Sequence, residues 1–258
     1  MGVEGRLKEF AVLKSYLAVS YARNIFDQNP TKNRYKDVIC NEITRVSIKD
    51  GKRSDYIHAN YVKGDYLQNT FICTQGPMPT TVYDFWRMIV SENVTHIVML
   101  CETIENGKAK CEQYWPIAQD EKMTIEGNRE SFIILTDYHI DVPDKTVPKS
   151  LLAVFRILEV VRRSSNPIVI HCSAGIGRTG SMMAIEMGLQ TLLAGQKLNL
   201  LETYVYFFYF ILYFKWRGKC GVWRCPVAHT WNRSSRPWPS KVSIPPELAN
   251  WYQTCLEG

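Results

Sequence analysis

The chain reads as an α/β domain, and three observations predict it. Short apolar runs of strand character alternate with amphipathic helical stretches. His96 to Cys101 is continuously apolar, as in a strand buried on both faces of a sheet. The run Pro167-Ile168-Val169-Ile170 leads straight into a glycine-punctuated loop, His171 to Gly180, that opens a helix. A strand, a loop and a helix in that order place a site at the carboxyl end of the strand. At 258 residues there is length for one large or two small domains, and 46% apolar with 22% charged residues is ordinary for a globular protein.

Taken in order, residues 7–24 predict a helix with Leu7, Phe10, Leu13, Leu17 and Tyr21 at three- and four-residue spacing. The polar turn Asn29-Pro30-Thr31-Lys32-Asn33 ends it. Tyr56 to Val62 and Thr70 to Thr74 predict strands separated by turn residues Lys63-Gly64-Asp65. Thr81-Val82-Tyr83-Asp84 has capping-box character and opens a helix carrying Val82, Phe85, Trp86 and Ile89. Ser150 is placed to cap a helix with Leu151, Phe155, Leu158 and Val161 inward, ending near Arg163-Ser164-Ser165. After the strand at 168–171 and its loop, a helix is expected with Met182, Ile185, Leu189 and Leu192 on one face, closed by Gly195.

The composition breaks near residue 202. Tyr204 to Phe214 is wholly aromatic and aliphatic, but its 11 residues are too few to span a bilayer, which takes roughly 20. A buried helix or strand is the expected form. Net charge is +6, and from Glu202 onward seven basic residues face three acidic ones, leaving only +2 on the first 201 residues. That balance gives no case for nucleic acid, and the basic residues of the tail read as solvated.

Eight cysteines at 40, 73, 101, 111, 172, 220, 225 and 255 include no C-x-x-C pair, which fits a reducing, cytoplasmic setting. Met1 to Phe10 is charged rather than apolar, so no cleavable leader is expected, and Arg6 stands where a myristoylation signal prefers Ser or Thr. His58, His96 and His139 read as structural; no metal-ligand spacing occurs, and no metal or cofactor is expected.

The loop at 171–180 carries the chemistry. Cys172 stands at its head and Arg178 at its end, with Ser173, Ala174, Gly175, Ile176 and Gly177 between. Successive backbone N–H groups and a helix N-terminus favour a bound oxyanion and a thiolate alike. Arg178 adds a planar fork that can hold two phosphate oxygens at once. The reading is a cradle for a phosphate-sized dianion with a sulfur nucleophile beneath it.

Further motifs stand in a fixed order before it. They are Lys32-Asn33-Arg34-Tyr35-Lys36-Asp37-Val38, Asp55-Tyr56-Ile57-His58-Ala59-Asn60-Tyr61, Thr74-Gln75-Gly76-Pro77, Asp84-Phe85-Trp86-Arg87-Met88 and Glu105 to Trp115. With the His171–Gly180 loop, this ensemble resembles the cysteine-dependent, phosphotyrosine-specific protein tyrosine phosphatases. The resemblance covers about residues 7–201, leaving 202–258 as a divergent aromatic-rich tail. It implies a central mixed, twisted sheet flanked by helices. It also implies hydrolysis of phosphotyrosine in proteins through a cysteinyl-phosphate intermediate, in a signalling role.

Carried onto these positions, the resemblance gives each residue a role. Cys172 is the nucleophile, Arg178 binds the phosphoryl oxygens, and residues Ser173 to Gly177 cradle them. Asp144, in Val142-Pro143-Asp144-Lys145-Thr146-Val147-Pro148, is the general acid on a mobile loop. Tyr35 stacks on the substrate ring and sets the pocket depth, and Asp37 holds peptide backbone. His171 orients the loop from beneath, Thr179 donates to the leaving thiolate, and Glu105 fixes the fork of Arg178. The residues alone leave plainer readings open: a turn for Asp144, core-edge packing for Tyr35, a hairpin position beside Asn106-Gly107 for Glu105.

Three departures from the family pattern bear on function. Val142 stands where the family has Trp, and the stretch from Pro116 to Tyr138 is shorter by something like a pair of strands. Past Leu201 no Gln-Thr-x-x-Gln-Tyr segment follows; Gln253-Thr254 runs into Cys255-Leu256. The fold is therefore expected to be incomplete at one sheet region and at its terminal helices. The alternative function is a catalytically impaired domain that captures phosphotyrosine.

Overall fold

A computed structural model describes residues 22–51, 54–115, 151–199 and Thr203. Most of the helix expected at 7–24, the Val142–Pro148 segment with Asp144, Ser150 and the aromatic run of the tail lie outside the described residues. The described elements are α1 (Asn24–Gln28), a 3-10 turn (Pro30–Lys32), β1 (Arg45–Ser47), β2 (Tyr56–Val62), β3 (Phe71–Gln75), α2 (Val82–Ser91) and β4 (His96–Met99). They continue with β5 (Ile104–Glu105), β6 (Lys108–Ala109), α3 (Leu151–Val161), β7 (Ile168–Cys172) and α4 (Arg178–Leu193).

Five strands form one sheet in the order β1-β2-β3-β7-β4. The pairs β1/β2 and β2/β3 are antiparallel, while β7 runs parallel to both β3 and β4, so the sheet is mixed as expected. The interior strand β7, flanked by β3 and β4, is buried along its whole length, which explains its apolar character. Alternation sorts its side chains between two cores. Ile168 and Ile170 join Phe71, Cys73 and Val98 against Val154, Ile157, Leu158 and Val161 of α3 and Met182, Met183 and Met187 of α4. Val169 faces the other way, with Ile57, Ala59 and Ile72 against Phe85, Trp86, Met88 and Ile89 of α2, and with Cys111 and Tyr114. Burying each large aliphatic or aromatic side chain contributes about 1.5–3 kcal/mol, so both faces hold β7 in place.

Three local expectations are corrected. Thr81 does not complete a capping box: its Oγ1 accepts the Met78 N–H at 2.9 Å, and Asp84 is bound by Arg87 and Lys32, each at 2.8 Å. In α3 the inward face is Val154, Ile157, Leu158 and Val161, with Phe155 only half-buried, so the helix is turned by about one residue from the sequence expectation. In α4, Ile185, Leu189 and Leu192 are half-buried, whereas Met182, Met183, Ala184, Glu186, Met187, Gly188 and Gln190 are buried. The helix is enclosed on most sides, so no single apolar stripe marks its inner face. Its buried Glu186 accepts two bonds from the Arg162 guanidinium, at 2.7 and 2.6 Å, and one from Gln190 at 3.0 Å.

Candidate active site

β7 ends on Cys172, which pairs in register with Gln75 of β3. The loop beyond is held against the sheet: Gly76 N–H donates to Ser173 O at 3.0 Å, and Leu100 N–H donates to His171 O at 2.8 Å. Gly175 sits at φ +77°, and a Cβ there would stand 2.5 Å from Thr74 O. Only glycine lets the loop turn this closely over β3. α4 then begins at Arg178 with Gly177 as its N-cap. Its first amides and the positive end of its dipole therefore close the loop, an arrangement suited to an oxyanion. Cys172 itself is buried, 3% exposed, at the base.

Arg178 is fixed from outside the loop. Its Nη1 donates to Glu105 Oε1 and its Nη2 to Glu105 Oε2, the second bond at 2.9 Å. Both side chains are nearly buried, at 9% and 7% exposure. Burial works against the guanidinium charge, but the Glu105 bonds and the nearby Cys172 outweigh it and hold the group above its ordinary range. Glu105 reaches this position on the β5–β6 hairpin, whose turn residues Asn106 and Gly107 have φ 51° and 70°. Two consecutive positive φ values are those of a type I′ turn, the favoured connection for a tight hairpin. Glu105 is thus both things the sequence allowed, a hairpin residue and the partner of the arginine.

Tyr35 meets the loop directly, its hydroxyl 3.0 Å from Ser173 Oγ. The segment that carries it is tied down by Gln75, a residue to which sequence reasoning gave no individual role. Gln75 Oε1 accepts Arg34 N–H at 2.9 Å and its Nε2 donates to Lys32 O at 2.8 Å. The Arg34 guanidinium donates to Gly76 O at 3.1 Å and Pro77 O at 2.7 Å. Behind Tyr35, Asn33 Oδ1 accepts from the Tyr56 hydroxyl at 2.5 Å and lies 3.2 Å from His58 Nδ1. Asp37 lies exposed on the same segment. The only sequence signal for Gln75 was its place inside the Thr74–Pro77 motif; its partners lie more than 40 positions away.

His171 is fully buried beneath the loop, with its Nε2 2.8 Å from the Tyr114 hydroxyl and its ring edge-on to Tyr114 and Phe85. Thr179 is likewise fully buried, and its Oγ1 has no hydrogen-bond partner among the described residues. The structure therefore brings together Cys172, Ser173 to Gly177, Arg178, Thr179, Glu105, His171 and Tyr35. Asp144 and Val142 lie outside the described residues.

A buried cysteine at a strand end, a glycine loop and a buttressed arginine at a helix start define a cysteine-dependent phosphate-loop domain. The family model described as protein-tyrosine phosphatase matches residues 29–141 and 135–206. The chain belongs to the protein-tyrosine phosphatase family. It is 36% identical over 200 residues to human tyrosine-protein phosphatase non-receptor type 12, a match covering 66% of this chain and 26% of that protein. It is 39% identical over 190 residues to human receptor-type tyrosine-protein phosphatase eta, covering 62% and 14%. To mouse tyrosine-protein phosphatase non-receptor type 7 it is 36% identical over 200 residues, covering 66% and 55%. The chain thus spans about half or less of the length of these relatives. Among the described residues, no helix is long and apolar enough to cross a membrane.

Proposed function

We propose that this chain hydrolyses phosphotyrosine in proteins through a cysteinyl-phosphate intermediate. The observation that carries the reading is the grip of Glu105 on Arg178 at the rim of the loop headed by Cys172. That grip fixes the plane of the guanidinium, and a fork held in one orientation suits the equatorial oxygens of a phosphoryl group. The Cys172 thiolate attacks phosphorus, an S–P bond forms, and the bond to the tyrosine oxygen breaks. Asp144 gives the leaving phenolate its proton, and water then cleaves the S–P bond. Thr179 supplies a donor to the departing thiolate, consistent with a buried hydroxyl that has no partner among the described residues. The Tyr35–Ser173 contact places an aromatic wall beside the loop, so a phenyl phosphate reaches Cys172 where a shorter phosphoserine does not. Phosphotyrosine-containing proteins are the proposed partners, in a reducing cytoplasm that keeps the thiol free.

The test is turnover of a phosphotyrosine peptide. The natural chain is expected to release phosphate, Cys172→Ser to release none, and Asp144→Ala to retain attack while slowing phenolate departure. Unchanged turnover in Cys172→Ser refutes the mechanism. Val142 and the sequence after Leu201 favour a second reading, in which attack proceeds but the intermediate persists. Mass spectrometry of Cys172 after mixing separates the two: a long-lived phospho-adduct supports capture, and rapid steady turnover removes it.

A further inference from the structure

Behind the phosphate loop, three donor groups converge from three parts of the chain. Cys101 follows β4, Cys111 follows β6, and His171 lies on β7. One ligand atom from each lies within 4.8 Å of the others. We propose that Cys101, Cys111 and His171 form a binding site for a soft divalent cation such as Zn2+. Two thiolates and an imidazole are the donor set this class of ion prefers, and it binds them at about 2.0–2.3 Å. Ligand atoms around such an ion stand somewhat closer together than 4.8 Å, so a small contraction of the cluster completes the set.

The surroundings suit the ion. Cys111 and His171 are 4% and 0% exposed, while Cys101 is half-buried and leaves a side from which an ion enters. The Tyr114 hydroxyl, 2.8 Å from His171 Nε2 and 3.8 Å from the Met99 thioether, stands at the same place. It or a water can take the fourth position of a tetrahedral site. Charge also balances: each thiol gives up its proton to solvent as its sulfur binds, and two thiolates cancel the charge of the cation. The buried site therefore gains no net charge, which is the condition for placing an ion in a core. Nothing in the sequence spacing pointed here, because Cys101 and His171 are 70 positions apart.

The site touches the machinery from behind. A Cβ built on Gly76 would stand 3.0 Å from Cys172 O and 3.2 Å from Cys111 Cβ, so Cys111 and the main chain of Cys172 both border Gly76. Coordination through His171 Nε2 would replace its bond to Tyr114, and coordination through Nδ1 would replace its contact with Cys172 O, so either couples occupancy to the loop.

The experiment is a Co2+ titration of the full chain with Cys172, Cys220, Cys225 and Cys255 changed to Ser, which removes the loop and tail thiols. One ion per chain is expected to give an intense near-ultraviolet thiolate-to-cobalt band, to release two protons, and to be displaced by Zn2+. Adding Cys101→Ser or Cys111→Ser should abolish the band while a cooperative thermal transition persists. Should Cys111→Ser fail to fold, the half-exposed Cys101→Ser still decides. A band that survives Cys101→Ser, or no band at stoichiometric cobalt, overturns the proposal.

Discussion

Replacing Gly175 by alanine tests how tightly the phosphate loop is pressed onto the sheet. The new Cβ would meet Thr74 O at 2.5 Å, Thr74 C at 2.6 Å and Gln75 N at 2.9 Å, all main-chain atoms. Ordinary contact needs about 3.5 Å, so loop and strand must part by about 1 Å. β3 cannot retreat easily, since Thr74 pairs with Ala59 on one side and His171 on the other, and its Oγ1 donates to His58 O at 2.7 Å. The loop must therefore lift. Holding alanine at a left-handed φ costs about 1–2 kcal/mol, and overpacking adds about 1–3 kcal/mol. Urea unfolding is expected to show a loss of about 2–5 kcal/mol. A displacement of about 1 Å at the reacting geometry is expected to lower turnover of a phosphotyrosine peptide about 100-fold. Wild-type stability together with wild-type turnover in Gly175→Ala would refute the close approach of the loop to β3.

Two further changes probe the supports. Glu105→Ala leaves Arg178 without its carboxylate; breaking a nearly buried pair of this kind costs about 3–5 kcal/mol. It should lower peptide turnover by at least 100-fold, and unchanged kcat would show that the fork is held by other groups. The second concerns His58, whose burial lowers its pKa from 6.5 to about 4. Between those values the unfolded chain binds the proton and the folded chain does not, so stability is full above pH 6.5 and falls as pH drops toward 4. The His58 contribution to that loss is about 3 kcal/mol. Denaturant titrations at pH 7 and pH 4 should show the natural chain losing about that much more than His58→Gln, and equal losses would sink the assignment.

Much of the loop was legible in the sequence because its parts are contiguous. A buried strand, a run of small residues and a helix start are all local signals, and β7, Gly175 and α4 stand where those signals put them. Glu105 was half legible: Asn106-Gly107 announced the hairpin, but its bond to an arginine 73 positions away needs the folded chain. Gln75 was hidden for the same reason, since an amide inside a strand motif gives no sign of which loop it will hold. The inner face of α4 misled because its burial includes Glu186, whose charge is cancelled by Arg162 from a different element. Periodicity counts apolar residues and is blind to such pairs.

On the proposed function, the pairing of Gln75 with Cys172 makes the sheet itself a ruler for the substrate. Cys172 ends one strand, and its neighbour across the ladder holds the segment bearing Tyr35. The separation between the sulfur and the aromatic wall is therefore counted in strand register, not in loop length. A slip of β3 against β7 by one residue would carry Gln75 about 3.3 Å along the strand and turn its side chain to the opposite face. Length changes within 63–70, before β3, leave that measure intact, whereas a single insertion between Phe71 and Gln75 resets it. On the proposed function, discrimination among phosphorylated side chains thus rests on a few ladder hydrogen bonds between buried strands.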